Sequence, residues 1–191
     1  MNNVVKNMLK VILAALGLGL LIMVSITEYF NTRPVMVQYY GEIQGDMQYF
    51  KLLTVLREAH YGQRIDIYMI SPGGSVLHGN EIAAAMKNTH GTTVYHVGSF
   101  AASMAAVLAC QADKLDIAPQ AVIMYHTIQD VNGAVINPTT PDEKAFLAAA
   151  KVLTKNCKFL TQEEYDSLWV GGEVWLTGTE LNERLAKEGA N

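Results

Sequence analysis

The sequence predicts an α/β fold with a parallel sheet, and three features of the chain support that prediction. Short β-prone segments alternate with segments whose apolar residues recur at a period near 3.6. The connections between these segments are short, which favours right-handed crossovers between parallel strands. A glycine turn, a serine and a histidine each follow or end a predicted strand. Ligand sites of parallel sheets form at the carboxyl ends of their strands, so these groups are expected to share one site.

The composition indicates one ordinary domain behind an apolar N-terminal segment. The chain has 191 residues, of which 50% are hydrophobic and 17% are charged, as is typical of a globular protein. Its net charge is −4 and it has no lysine- or arginine-rich run, which argues against nucleic-acid binding through a basic surface. Without the N-terminal segment about 155–160 residues remain, enough to bury a core.

The N-terminal segment predicts a membrane-spanning helix. Val11–Thr27 is an uncharged run of 17 residues. As an α-helix it covers about 25 Å, at the short end of what a bilayer requires. Lys6 and Lys10 precede the run and Glu28 follows it. This bias favours a cytoplasmic N-terminus, with the domain on the other side of a membrane that the chain crosses once.

Two other interpretations of this segment stay open. A cleaved signal peptide is the first, although Ser25-Ile26-Thr27 is a poor cleavage site. A buried helix of the domain is the second. The favoured division is an anchor or signal segment over residues 1–30 and a globular domain over residues 31–191.

The first half of the domain alternates strand and helix. Val35–Tyr40 is apolar and β-prone, and Asp46–His60 carries an apolar stripe at helical spacing. Arg64–Ile70 alternates in the manner of a strand and ends at a Pro-Gly-Gly turn. Ser75–Thr89 has helical periodicity, and Thr92–Val97 is a further strand that stops at a glycine.

Shorter elements follow in the centre of the chain. Ala101–Ala112 is small and apolar, which predicts a tightly packed helix. Leu115–Ala118 and Ala121–Tyr125 predict short strands separated by a proline. Residues 129–141 are polar, contain glycine and proline, and predict a loop or a loose hairpin.

The C-terminal third predicts helices and one strand. Asp142–Phe159 is a long amphipathic helix opened by a Pro-Asp pair. Thr161 and Glu164 have the spacing of a capping box and begin a short helix. A glycine pair ends that helix, Val174–Leu176 predicts a strand, and Thr179–Glu188 predicts the closing helix.

The two cysteines, Cys110 and Cys157, do not have metal-ligand spacing. Each lies in a stretch with helical character, so we interpret them as ordinary helix residues. A single disulfide between them is the alternative that the sequence leaves open.

Three short segments supply the parts of a serine hydrolase. Ser103, in Ala-Ala-Ser-Met, lies at the predicted start of a helix, where free N–H groups stabilise an oxyanion. Gly73, in Ser-Pro-Gly-Gly-Ser-Val, can direct an N–H group into a cleft. His126, in Ile-Met-Tyr-His, leaves an apolar strand for polar residues, as suits a rigidly held base. Taken singly, each also fits a structural role: an N-cap, a plain turn or a core histidine. The remaining histidines are interpreted as surface or packing residues: His60, His78, His90 and His96.

The order and spacing of these segments closely resembles the Clp protease proteolytic subunit family (ClpP), and the resemblance extends over Val35–Gly189. It implies a ClpP/crotonase-like superhelix of strand–helix repeats. In that fold Asp142–Phe159 would protrude as the handle helix through which two rings stack. Here the superhelix would be preceded by one N-terminal transmembrane helix.

The resemblance also implies roles for individual residues. Ser103 would be the nucleophile and His126 the general base, and the N–H groups of Gly73 and Met104 would form the oxyanion hole. No metal or cofactor is implied. Glu173 stands where the family has an aspartate and would orient the histidine.

Several positions depart from the family pattern. If Glu173 is not the third triad member, Asp166 is the next carboxylate and Asp130 a weaker one. Ala105 replaces a glycine usual after Ser-Met, and the loop after the histidine lacks the usual Gln-Pro. The apolar N-terminal run is foreign to typical members, whose N-terminus meets a cytosolic ATPase.

The leading hypothesis is therefore a membrane-anchored, ClpP-like serine endopeptidase that cleaves small or unfolded polypeptides as a homo-oligomeric ring. An ATPase unfoldase is a partner that the family implies, unless the domain lies across the membrane from it. A signal-peptide-peptidase-type enzyme with a Ser-Lys dyad is the second hypothesis, with Lys144, Lys151 or Lys155 as base. The others are a catalytically silent ring subunit and, more distantly, a crotonase-type enzyme.

Overall fold

The computed structural model describes residues 2–31, 33–129 and 134–189. The chain divides into two compact units, Met1–Arg33 and Pro34–Asn191. The first unit is one helix, α1 (Asn3–Asn31). Its segment Val5–Ser25 has a mean hydropathy of 2.3, with no part of the window buried in the protein. It is a candidate membrane span by length and composition, a criterion that a signal sequence also meets.

The second unit is built on one six-stranded sheet. Its strands are β1 (Val35–Tyr40), β2 (Arg64–Ser71), β3 (Thr92–Ala102), β4 (Lys114–Ile117), β5 (Val122–His126) and β6 (Glu173–Thr177). The order is β1-β2-β3-β5-β6, and β4 also pairs with β3. The pairs among β1 to β5 are parallel, as predicted, whereas β6 runs antiparallel to β5.

Six helices accompany the sheet in the described part of this unit. They are α2 (Met47–Glu58), α3 (Val76–Asn88), α4 (Met104–Ala109), α5 (Pro141–Lys155), α6 (Gln162–Leu168) and α7 (Gly178–Glu188). The last three each begin with a capping box, which confirms the one predicted at Thr161 and Glu164. Backbone N–H groups of Thr140 and Thr139 lower the pKa of the capping Glu143 to about 2.

The core lies against one face of the sheet. On β1, β2, β3 and β5 the residues buried there are odd-numbered, following the two-residue period of a strand. They include Val37, Tyr39, Ile65, Ile67, Met69, Tyr95, Val97, Ile123 and Tyr125. Helix α2 contacts β1 and α3, and α3 in turn contacts α4 and α5. The helices thus cover the face that carries the buried residues.

A polar cluster lies on the opposite face. His96 contacts Asp66 on β2 (Nε2 to Oδ1, 2.6 Å) and Asp116 on β4 (Nδ1 to Oδ2, 2.7 Å). Arg64 donates to both carboxylate oxygens of Asp66, and the Tyr68 ring stacks on the imidazole at 4.2 Å. Burial alone would raise the pKa of Asp66, but hydrogen bonds from Arg64 and His96 outweigh it and lower that pKa. The interpretation of His96 as a surface or packing residue missed its contacts with these two carboxylates.

Strand β3 is longer, and the helix after it shorter, than predicted. The strand continues to Ala102 because it has two partners in succession. Its first part pairs with β4 up to Val97, and Phe100–Ala102 pairs with β5. The small residues predicted to begin a helix therefore complete a strand, and α4 starts only at Met104.

The interpretation of the cysteines as ordinary helix residues is wrong, because Cys110 and Cys157 form a disulfide. Their Cα atoms lie 4.8 Å apart, and 47 positions separate them in sequence. Helix α5 ends at Lys155 instead of Phe159, so Cys157 lies beyond it. The bond joins the end of α4 to the segment that follows α5.

Candidate active site

Ser103 occupies a strained turn between β3 and α4. Its φ is 54° and its ψ is −125°, and it is the one non-glycine residue with positive φ in the described chain. Such backbone strain is concentrated at functional sites. Ser103 stands at the N-cap position, but its side chain makes no capping hydrogen bond. The hydroxyl is therefore free of the structural role that the sequence had left open.

Gly73 packs directly against this serine. Its φ is +95°, and a Cβ added to it would lie 2.7 Å from Ser103 Cβ and 2.7 Å from the Ala102 carbonyl oxygen. The same Cβ would lie 3.0 Å from the Met104 nitrogen. Only glycine allows both this conformation and this approach. The predicted oxyanion-hole residues Gly73 and Met104 are thus neighbours beside Ser103.

The Gly73 N–H group already has a partner. It donates to Ser71 Oγ at 3.0 Å, and Ser71 is fully buried at the end of β2. Sequence reasoning did not identify Ser71, although a serine two residues before a turn glycine is a common local acceptor. Gly74, with a φ of +137°, lines the cleft beside Ser103.

His126 ends β5, the strand beside the serine turn. Ala102 pairs with Met124, and the Ser103 N–H donates to the Met124 carbonyl at 2.7 Å. His126 Nδ1 contacts the backbone carbonyl of Thr127. A carbonyl only accepts, so Nδ1 carries the proton and Nε2 presents its lone pair in the neutral ring. This is the tautomer that a base acting on a serine requires.

Ser103 and His126 line one cavity of about 70 Å³, together with Met104, residues of α5 and Trp169, which follows α6. No lysine is among the described residues that line it. The two side chains are not hydrogen-bonded to each other in the described chain. Catalytic hydrogen bonds are often longer in unliganded sites and tighten with substrate, so the shared cavity is the relevant observation.

Glu173 is the cross-strand partner of His126. The two residues are directly paired in the antiparallel β5–β6 ladder, a position that puts Cβ atoms about 4.5–5.5 Å apart. The carboxylate is exposed, however, and its Oε2 accepts a hydrogen bond of 3.0 Å from Trp175 Nε1. Glu173 therefore lies beside the histidine but is bonded along its own strand.

None of the other predicted acids and bases in the described part of the chain lines this cavity. Asp166 is exposed on α6, where its Oδ1 accepts from Gln162 Nε2 at 2.9 Å. Asp130 lies outside the described residues. The Lys151 ammonium lies 5.2 Å from the Trp169 ring centroid, and Lys155 lines a separate cavity.

A strained serine after a strand, a glycine turn against it and a histidine on the adjoining strand together resemble the site of a sheet-based serine hydrolase. A family model described as Clp protease matches residues 23–163. The match covers more than half of the chain, and the protein belongs to the Clp protease family, which confirms the resemblance. A comparison with curated proteins found no match.

Family membership implies a serine peptidase, and members typically form oligomeric rings that act on polypeptides. The matched segment contains Gly73, Ser103, Met104 and His126 but ends before Glu173.

Proposed function

We propose that this chain is a membrane-anchored, ClpP-like serine endopeptidase with Ser103 as nucleophile. The observation that carries the proposal is the strained Ser103, whose uncapped hydroxyl shares one cavity with His126. Ser103 Oγ attacks the peptide carbonyl while His126 Nε2 takes its proton. The imidazolium then returns the proton to the leaving amine, and water hydrolyses the acyl-enzyme by the same route.

The N–H groups of Gly73 and Met104 form the proposed oxyanion hole. Met104 is the first residue of α4, where an N–H group has no acceptor within its helix. The Gly73 N–H is held by Ser71 Oγ until substrate binds. The Ser71 hydroxyl also donates to the Gly73 carbonyl oxygen at 3.4 Å. Ser71 therefore keeps a hydrogen-bond partner when the oxyanion binds the Gly73 N–H group.

Glu173 is the proposed third member of the triad. Its pairing opposite His126 supports this role, for which its carboxylate must first leave Trp175. Until then the Thr127 carbonyl alone fixes the tautomer. The site would therefore act as a Ser-His dyad at rest and as a full triad once the glutamate turns.

We further propose that the chain assembles as a homo-oligomeric ring and cleaves small or unfolded polypeptides. The family's typical assembly supports this proposal. A site enclosed by a ring excludes folded proteins, and a cavity of about 70 Å³ accommodates one side chain at the reacting centre. Apart from the water that hydrolyses the acyl-enzyme, the groups that the proposed mechanism uses belong to the protein.

The proposed location of the domain is outside the cytoplasm. Lys6 and Lys10 precede the candidate span, which favours a cytoplasmic N-terminus. The Cys110–Cys157 disulfide supports the same topology, because disulfides persist in oxidising compartments and are rare in the cytosol. In that location the protease would not meet a cytosolic ATPase unfoldase.

The test is peptide hydrolysis by the full chain in detergent micelles, beside its Ser103→Ala and His126→Ala variants. We expect each substitution to reduce turnover by about a thousandfold or more. A Ser-Lys dyad predicts only a mild effect of His126→Ala. A silent subunit predicts that a fluorophosphonate probe leaves Ser103 unlabelled. Equal turnover by the wild type and the Ser103→Ala variant would refute the proposed function.

A further inference from the structure

A backbone bridge joins the glycine turn to the loop between β1 and α2. In that loop the Ile43 N–H donates to the Gly73 carbonyl at 2.7 Å, and the Ile43 carbonyl accepts from the Ser75 N–H at 2.8 Å. The two bonds form an isolated parallel bridge between Ile43 and Gly74. They therefore fix the peptide groups on both sides of Gly74.

The bridge explains why a second glycine follows Gly73. Gly74 has a φ of +137°, and a Cβ added to it would lie 2.6 Å from the Ile43 carbonyl oxygen and 2.8 Å from the Ile43 nitrogen. The two glycines thus serve different partners, because Gly73 allows the approach of Ser103 and Gly74 allows that of Ile43. Glycine has the greatest conformational freedom of any residue, so a glycine pair keeps one conformation only if other groups hold it.

Ile43 is itself held on both sides. Its side chain is fully buried in the main core. Before it, the Gly41 N–H donates to the Ile70 carbonyl of β2 at 3.0 Å. After it, Asp46 caps α2 by accepting from the Tyr49 N–H at 3.0 Å. The loop is therefore anchored to the sheet and to a helix, and the bridge gives the glycine turn a fixed support.

The glycine turn depends most on this support when substrate binds. The Gly73 N–H is held by Ser71 Oγ, and the proposed oxyanion would take that N–H group. The Ile43 bridge uses the Gly73 carbonyl and the Ser75 N–H, so it is retained when the oxyanion binds. Its 2.7 Å bond is also the shorter of the two that the Gly73 carbonyl accepts. A donor held in place beforehand needs no reorganisation during the reaction.

We propose that Ile43 is a positioning residue of the oxyanion hole. Its backbone bridge holds the glycine turn so that the Gly73 N–H faces the carbonyl that Ser103 attacks. This inference rests on the proposed function and adds a residue to it. Ile43 acts through Gly73, and its effect arises when negative charge develops on the carbonyl oxygen. Loss of the bridge should therefore lower kcat and leave KM unchanged.

The experiment replaces single peptide bonds by esters in the full chain, assayed in detergent micelles. Nonsense suppression with the α-hydroxy acid of isoleucine keeps the Ile43 side chain and removes the N–H that bonds Gly73. Ala121 is the matched control, because it is also fully buried and its N–H donates to the Ala118 carbonyl at 2.8 Å. It precedes β5, at the end opposite His126. Each ester removes one short backbone hydrogen bond, so the melting temperatures of the two chains should fall by similar amounts.

We expect the Ile43 ester to lower kcat by about tenfold or more, with KM within about twofold of the wild type. The Ala121 ester should keep both constants. Active sites are counted by complete labelling with a fluorophosphonate probe, so misfolded protein does not enter the rates.

A peptide aldehyde gives a second readout of the oxyanion hole. Ser103 Oγ adds to the aldehyde carbon, and the hemiacetal oxygen occupies the position of the oxyanion. In the Ile43 ester the Ki of the aldehyde should rise by the same factor by which kcat/KM falls. The corresponding peptide alcohol forms no such adduct, so its Ki should not change.

Gly74→Ala tests the bridge without an ester, in case the Ile43 ester does not fold. Its methyl group would displace Ile43 from the turn. Gly171→Ala is the matched control, because Gly171 also has positive φ (+96°) and its added Cβ would meet Val135 Cγ2 at an ordinary 3.8 Å. Per labelled site, kcat should fall in Gly74→Ala by about tenfold or more relative to Gly171→Ala.

Several results would overturn the inference, and they differ in what else they refute. Equal kcat values for the Ile43 and Ala121 esters, or for Gly74→Ala and Gly171→Ala, would show that the bridge does not position the oxyanion hole. A raised KM with unchanged kcat would show that the bridge shapes the binding surface instead. Each of these outcomes leaves the proposed nucleophile and base in place. Cleavage that persists in Ser103→Ala would refute the proposed function as well.

Discussion

Gly73→Ala tests the geometry on which the proposed mechanism depends. The added methyl carbon would lie 2.7 Å from Ser103 Cβ, whereas non-bonded carbons pack at about 3.5–4.0 Å. Relief of this overlap requires a displacement of about 1 Å between the glycine turn and the nucleophile. Misplacing a reacting group by 1 Å costs about a hundredfold in rate. We therefore expect kcat/KM per folded site to fall by about a hundredfold or more.

Gly62→Ala is the matched control for the backbone effect. Gly62, in the turn between α2 and β2, also has positive φ (+78°), but no heavy atom lies within 4 Å of its added Cβ. The left-handed conformation costs an alanine roughly 1–2 kcal/mol at either position. Both variants should lose stability by about this amount, and Gly73→Ala should lose more because of its contacts.

The assay separates the two effects. Thermal melting gives the folded fraction of each variant, and peptide hydrolysis is then expressed per folded site. Gly62→Ala should match the wild type in kcat/KM, and Gly73→Ala should not. If the two variants have the same kcat/KM, the glycine turn does not position the nucleophile, and the proposed oxyanion hole is wrong.

Three further predictions concern the disulfide, the third triad member and acid stability. Replacing Cys110 and Cys157 by serine opens a loop of 47 residues. Urea denaturation should show an unfolding free energy lower by about 4 kcal/mol on the chain-entropy estimate, and an unchanged midpoint would argue against the bond. Trp175→Phe frees the Glu173 carboxylate from a hydrogen bond worth about 1 kcal/mol, so kcat/KM should rise about fivefold. Adding Glu173→Gln should abolish this gain, and an equal gain in the double variant would exclude Glu173 as the third triad member. The folded-state pKa of Asp66 is lowered, so its contribution to stability is present above the unfolded pKa of about 3.9 and is lost as pH falls through the folded-state value. Melting curves at decreasing pH should show that Asp66→Asn loses less stability in acid than the wild type. Identical pH profiles for the two proteins would contradict a stabilising role of the Asp66 carboxylate.

The alternation of strands and helices was predictable because it is a local signal. Burial on β1 and β2 follows the two-residue period, and α2, α3 and α5 lie where apolar residues recur at helical spacing. The extension of β3 was not predictable, since Phe100-Ala101-Ala102 suits a packed helix as well as a strand. Its pairing with β5, about twenty residues further along the chain, decides between them.

The parts of the candidate site also differ in how far the sequence predicts them. Ser103, Gly73 and His126 each follow or end a strand, and the topology of a parallel sheet brings such positions together. Contacts between residues that are distant in the chain leave no comparable pattern in the sequence. The disulfide depends on where α5 ends, and the His96 cluster depends on partners 20 and 30 residues away. The hydrogen bond between Trp175 and Glu173 depends on the side-chain conformation of Glu173, which no pattern of residue types determines.

The disulfide also connects the location of the domain with the shape of its site. Cys110 ends the helix that follows Ser103, and its Sγ lies 3.5 Å from the Tyr125 hydroxyl, on the residue before His126. Burial raises the pKa of Tyr125, so this hydroxyl stays neutral and keeps its 3.2 Å hydrogen bond to Ala106 of α4. The disulfide therefore ties the segment after α5 to the end of α4, the helix that follows the nucleophile. The contact of Cys110 with Tyr125 links the same point to the strand that carries the base. In an oxidising compartment the disulfide persists and holds the proposed site together without a bound partner. In a reducing compartment the end of α4 and the segment after α5 would keep only non-covalent contacts. The disulfide therefore supports both the proposed topology and the proposed activity.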